Sequence, residues 1–168
     1  ARFDCSLHRS GPLLVLEAAE IAMRRAMELN PADADLMSMF GYVVSTRGRA
    51  EEGVHWIEAA IRLNPLHPDW YHCDLACAMQ LAGRHAEAVS QMLCLPVLTA
   101  WRHTRIAACY AAKGDAIGAS RHLSAAEALQ PGWDPVHEAM RWNELEHPED
   151  HARFVADVAA AVRMATMG

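Results

Sequence analysis

What this sequence lacks narrows the field before anything in it is positive evidence. No cluster of lysine or arginine falls along any helical face, and the formal net charge is −6, so the electrostatic footprint expected of a nucleic-acid binder is missing. No apolar run approaches the ~20 residues needed to span a bilayer. The N-terminal stretch lacks the charged-then-apolar layout of a signal peptide. β-branched residues never form a run, which argues against strands. There is no Gly-x-Ser-x-Gly, no glycine-rich phosphate loop and no His-Glu-x-x-His, so the common hydrolase, nucleotide-binding and metalloprotease signatures are excluded. The five cysteines are an odd number scattered through helix-like segments rather than loops, a pattern expected of reduced thiols in the cytoplasm.

What is there is a chain of 168 residues, 52% hydrophobic and 21% charged, sized for one domain with a buried core. Ala, Leu and Met dominate its interior positions and favour helix. The stretch from Ala34 to His67 is a complete helix–turn–helix unit. Apolar positions Leu36, Met37, Phe40 and Val44 recur at helical spacing up to a turn at Arg47-Gly48-Arg49. A second stripe follows at Val54, Ile57 and Ile61 before Leu63-Asn64-Pro65. Gly48 can take the left-handed conformation that ends a helix, and proline stops its continuation. Helices of about a dozen residues are marginal alone, so the unit implies neighbours stacked beside it.

The punctuation repeats. Leu29-Asn30-Pro31, Leu63-Asn64-Pro65 and Leu129-Gln130-Pro131 are three helix ends, and Gly48-Arg49, Gly83-Arg84 and Gly114-Asp115 are three inter-helix turns. Small residues at Gly41, Ala76 and Ala107, matched by Gly53, Ala88 and Ala119, stand where paired helices must approach closely. With Met37, Phe40, Val44, Ile57 and Pro65 in the first unit and His103, Ile106, Tyr110, Leu123 and Pro131 in the third, the pattern resembles the tetratricopeptide repeat family. The resemblance implies an all-α, right-handed α-solenoid of about three repeats with a preceding half repeat and C-terminal capping helices.

In chain order, residues 1–11 lack a period and read as a linker or the remnant of a missing helix, residues 12–133 as the solenoid, and residues 134–168 as capping helices. The helix from Pro12 to Leu29 looks like the second half of a repeat, so its uncovered edge is expected to meet an upstream domain or a second copy. The second unit starts at Pro68, and its second helix is cut short by Leu95-Pro96. Asp134-Pro135 reads as an N-cap with proline at the first helical position, opening a helix to about Leu145. The last helix opens at His147-Pro148, with an apolar stripe at Phe154, Val155, Val158 and Val162. Asn64 to His72, the shortened helix and this closing segment together resemble the tetratricopeptide arrays C-terminal to bacterial class III adenylate or guanylate cyclase-like domains. Nothing catalytic carries over from that likeness.

The resemblance also implies a concave face built by the first helix of each pair. By alignment it presents Asp35, Ser38, Tyr42, Ser45 and Thr46, then Trp70, Cys73, Cys77, Gln80 and Leu81, then Trp101, Thr104, Ala108, Ala111 and Ala112. None of these is cationic, so the surface reads as neutral and partly aromatic, suited to an apolar peptide or helix. Tyr42, Trp70, Cys73, Cys77, Gln80, Trp101 and Thr104 are the expected peptide contacts, although Trp70 and Trp101 would equally suit packing between repeats. Cys73 and Cys77, near His72 and Cys109, lack the second ligand pair of a zinc site, and small buried cysteines are the commoner outcome. His147 and His151, four apart, read as a solvated first turn. The expectation is a non-enzymatic interaction scaffold for a peptide or protein, with no cofactor, metal, nucleic-acid or membrane partner. Alternatives are a regulatory or dimerisation module of a larger cyclase or transcriptional regulator and, remotely, a metal-dependent hydrolase.

Overall fold

A computed structural model describes residues 6–142 and 145–167, with side chains from Leu16 onward. Among the described residues the chain is all helix, in the order α1 (Ser6–Leu29), α2 (Ala34–Thr46), α3 (Ala50–Leu63), α4 (Trp70–Leu81), α5 (His85–Leu93), α6 (Ala100–Ala112), α7 (Ala116–Leu129), α8 (Pro135–Arg141) and α9 (Pro148–Met167). None of these helices is long and apolar enough to cross a membrane. Helix α1 begins ahead of Pro12, so part of the stretch 1–11 is helical, while residues 1–5 lie outside the described residues.

The local signals act as their chemistry requires. Asp33, Thr99, Asp115 and Asp134 accept hydrogen bonds from the backbone N–H three residues on, closing the N-termini of α2, α6, α7 and α8. Gly48, Gly83 and Gly114 have φ of 79°, 76° and 75°. After each of them the next residue donates to a carbonyl five positions back, as in Arg84 to Met79 at 2.8 Å, which satisfies an otherwise orphaned helix-end acceptor. Helix α8 ends at Arg141 rather than Leu145.

The helices pack as sequential pairs, α2 with α3, α4 with α5, α6 with α7. All six small residues marked by the repeat pattern are buried. At Gly41 a side-chain carbon would lie 2.6 Å from Ile57 Cγ1 and 2.7 Å from the Gly53 carbonyl oxygen, so α2 and α3 meet at a distance that only glycine permits. The central core joins Val54 and Ile57 of α3, Leu75 and Met79 of α4, Val89 and Met92 of α5, and Ile106 and Cys109 of α6. Each large apolar side chain fully buried there contributes about 1.5–3 kcal/mol.

Two features of the packing shape the surface described below. Helix α5 has nine residues against fourteen for α3 and α7; among the described residues α4 packs along α2, whereas α4 and α6 have no comparable backbone approach and meet through side chains. The C-terminal segment also returns to the start. Helix α9 lies on α6, α7 and α8, burying Phe154, Val158 and Ala161. Just before it, the Glu146 amide donates to the Thr46 carbonyl at 2.8 Å, and the Arg47 guanidinium holds the Glu146 carboxylate at 2.6 Å. Arg47 and Arg49 also hold Glu20 of α1. Burial pushes the Glu20 carboxyl up, but hydrogen bonds from Arg49 and Arg24 outweigh it and keep the group below the usual carboxylate range.

Candidate functional site

The opening between α4 and α6 is a cleft of about 440 Å³. Tyr42 lines it from α2, Cys73, Asp74 and Cys77 from α4, Trp101, Arg102 and Arg105 from α6, and Trp142 from the segment after α8. A second hollow of about 370 Å³ adjoins it, lined by Met23, Met39, Tyr42, Val43, Trp70 and Asp74. The two share Tyr42 and Asp74, so they adjoin across these side chains, the hollow largely apolar and the cleft carrying arginines.

Of the seven residues expected to touch a peptide, Tyr42, Cys73, Cys77 and Trp101 come together in the cleft, and Trp70 lines the adjoining hollow with Tyr42. Gln80 and Thr104 lie beneath the surface instead. The Gln80 side-chain oxygen accepts from Arg105 Nε at 3.0 Å and Nη2 at 2.8 Å. Thr104 is fully buried, donates to the Ala100 carbonyl and accepts from Trp133 Nε1 at 2.9 Å. Ser38, Ser45, Thr46, Ala108 and Ala111 are also buried. Trp101 serves both expectations: it packs edge-on against Phe154 at 5.8 Å between ring centroids while still lining the cleft.

Sequence alignment to the concave face missed three charged residues. Asp74 is four residues after Trp70, and Arg105 is four after Trp101; the i, i+4 relation places each on the same helical face as its tryptophan, and that signal was available. Arg102 also lines the cleft, with Nη1 donating to the Val97 carbonyl at 2.7 Å. Arg105 is only 3% exposed. Its guanidinium stacks 4.8 Å from the Trp142 ring centre and 5.3 Å from Phe154, and among the described residues no carboxylate lies within ion-pair distance of it. Cation–π stacking and the Gln80 oxygen replace part of its lost hydration.

These charges polarise the cleft. Burial, and then the charge on Cys73 beside it, push the Asp74 carboxyl up to about 7. A hydrogen bond with Cys77, and then the positive charges of Arg102 and Arg105, lower Cys73 to about 6 against the opposing effect of burial. Its bond to Cys73 and its own burial push Cys77 well above the ordinary thiol range. Cys109 sits in the central core, and burial raises it to about 12.

The histidine clusters are held apart. His72 Nδ1 pairs with Gln91 Oε1 at 2.8 Å. His151 Nε2 bonds the Ala139 carbonyl at 3.0 Å, while the His147 ring lies against Gly48, so the two rings four residues apart face different partners. Compared with known proteins, the chain matches no family model and no curated sequence.

Proposed function

We propose that this chain is a non-enzymatic interaction module, a tetratricopeptide-like helical array that docks an extended protein segment in the groove formed by the two adjoining hollows. The observation that carries the reading is the sharing of Tyr42 and Asp74 between an apolar hollow and a charged, aromatic cleft. A single small molecule would need only one of them. A segment with an apolar side chain for the Met23, Met39 and Trp70 hollow, followed by a polar or acidic stretch beside Arg102, would use both. The α4 and α6 walls belong to helices joined by the central core, so much of the ordering cost falls on the ligand.

Selection of peptides from a random library on the full chain tests this, with counter-selection on Tyr42→Ala/Arg102→Ala. Both substitutions avoid the Trp101, Trp142 and Phe154 cluster that the fold needs. Selected peptides are expected to lose at least tenfold in affinity for the double variant, about 1.4 kcal/mol. Peptides that bind both proteins equally would place recognition elsewhere.

A further inference from the structure

Cys73 and Cys77 are one turn apart on α4, and both line the cleft. Cys77 is buried and Cys73 half-buried, so the pair runs from the core to the cleft. The rise of a helix separates Cα atoms four positions apart by about 6 Å, inside the span of a disulfide. The corresponding Cβ atoms are about 5–6 Å apart on a regular helix, roughly 1 Å or more beyond disulfide geometry. A bond between them therefore tightens one turn of α4 and is strained, which makes it easily reduced.

Around the pair stand Arg102 and Arg105 from α6, with Asp74 beside Cys73. Arg105 is a buried cation without a carboxylate partner among the described residues, so a negative charge in this cleft is stabilised. Burial raises the Asp74 carboxyl, while the Cys77 contact and then the Arg102 and Arg105 charges lower the Cys73 thiol. Cys77, one turn on, is buried and held well above the ordinary thiol range. One thiol thus stands half-buried at the cleft beside two guanidinium groups, and its neighbour one turn on is buried.

We propose that Cys73 and Cys77 form a redox site in which a hydroperoxide oxidises Cys73 and Cys77 then closes a disulfide with it. The Cys73 thiolate attacks the terminal oxygen of the peroxide and the O–O bond breaks. The departing alkoxide takes a proton from solvent and leaves as an alcohol, or as water when the oxidant is hydrogen peroxide. Cys73 is left as a sulfenic acid. The Cys77 sulfur then attacks the Cys73 sulfur, the S–O bond breaks, and hydroxide departs with the Cys77 proton as water. Two thiols have lost two electrons and two protons, and the peroxide has gained them. Arg102 and Arg105 act as positioning residues that hold the thiolate. This inference goes beyond the docking of a protein segment and stands without it.

The exposed Cys94 supplies an internal competitor. The full chain carrying only Cys5→Ser is titrated with hydrogen peroxide and mapped by mass spectrometry. The expected result is loss of two hydrogens in a peptide linking Cys73 to Cys77, before Cys94 changes. Cys77→Ala should stop at the sulfenic acid, trapped on Cys73 by a 1,3-dione. Iodoacetamide labelling gives the pH profile. A thiol lowered by neighbouring guanidinium charges is labelled at lower pH than an ordinary thiol, so the Cys73-to-Cys94 labelling ratio should rise as pH falls. Arg102→Gln should move the Cys73 profile toward higher pH. Oxidation that reaches Cys94 first with the pair still reduced, or a Cys73 profile matching that of an ordinary thiol, overturns the proposal. The Cys73-to-Cys94 comparison is made within one molecule, so an unstable variant cannot mask it, and no peptide binding enters the readout.

Discussion

Replacing Gly53 by alanine should destabilise the protein even though alanine is the better helix former. Gly53 lies in α3 where it crosses α2, and a Cβ there would overlap Ser45 Oγ and the Gly41 carbonyl oxygen. The hydroxyl is not free to swing aside, because it is buried and donates to that same carbonyl at 2.8 Å. The carbonyl moves only if α2 moves. Helix propensity favours alanine by about 1 kcal/mol, while overpacking against neighbours that cannot yield costs about 3 kcal/mol, at the upper end of its usual span. The net loss is about 2 kcal/mol, a fall in Tm of roughly 4–8 °C for a chain of this size. Thermal and urea unfolding followed by circular dichroism measure it. Gly83→Ala is the comparator, since a Cβ there meets nothing within 4 Å and the cost is confined to left-handed backbone strain of about 1–2 kcal/mol. A Gly53→Ala protein as stable as wild type would refute the close crossing of α2 and α3.

Other consequences follow from particular contacts. Arg47 and Glu146 are 99 positions apart and half-buried, so a double-mutant cycle of Arg47→Ala and Glu146→Ala should give a coupling of about 1 kcal/mol, and hydrogen exchange should show the Glu146 amide protected in wild type and less so in either single variant. His122 is buried beside His103, with their Nδ1 atoms 2.9 Å apart; burial, and then the charge on His103, lower it to about 4. An unfolded His122 takes its proton near ~6.5, so between there and about 4 the unfolded chain binds more protons, and the stability present above pH 6.5 is lost as pH falls. The full shift corresponds to roughly 3 kcal/mol, and solvent contact reduces it to on the order of 1–2 kcal/mol. Stability of His122→Gln measured across this window should fall less steeply than wild type. Asp115→Ala removes the cap that accepts from the Gly118 amide at 2.8 Å and should cost about 1 kcal/mol in urea unfolding.

The parts of this structure legible in the sequence are those governed by local chemistry. Glycines that must be left-handed, aspartates that cap, and small residues at crossings declare themselves at fixed spacing, and the prolyl bond at Leu95-Pro96 announces the short α5. The early end of α8 at Arg141 was hidden because apolar spacing continues to Leu145 after the helical hydrogen bonds stop. The bond from Glu146 to Thr46 and the stacking of Trp142 on Arg105 depend on closure of the whole chain, and no periodicity records a contact across such a separation. Gln80 and Thr104 show a different limit. A repeat pattern assigns a face by offset, but burial depends on what packs over it, and here Arg105 and Trp133 cover the two polar side chains.

Photocrosslinking of a selected peptide bearing a photoreactive side chain, with the attachment points mapped by mass spectrometry, tests the groove most directly. Attachment within the tryptic peptides that carry Tyr42, Cys73, Trp101 and Trp142 is the predicted result. Attachment confined to the outer faces of α7 and α9, with those four segments unlabelled, would contradict the account.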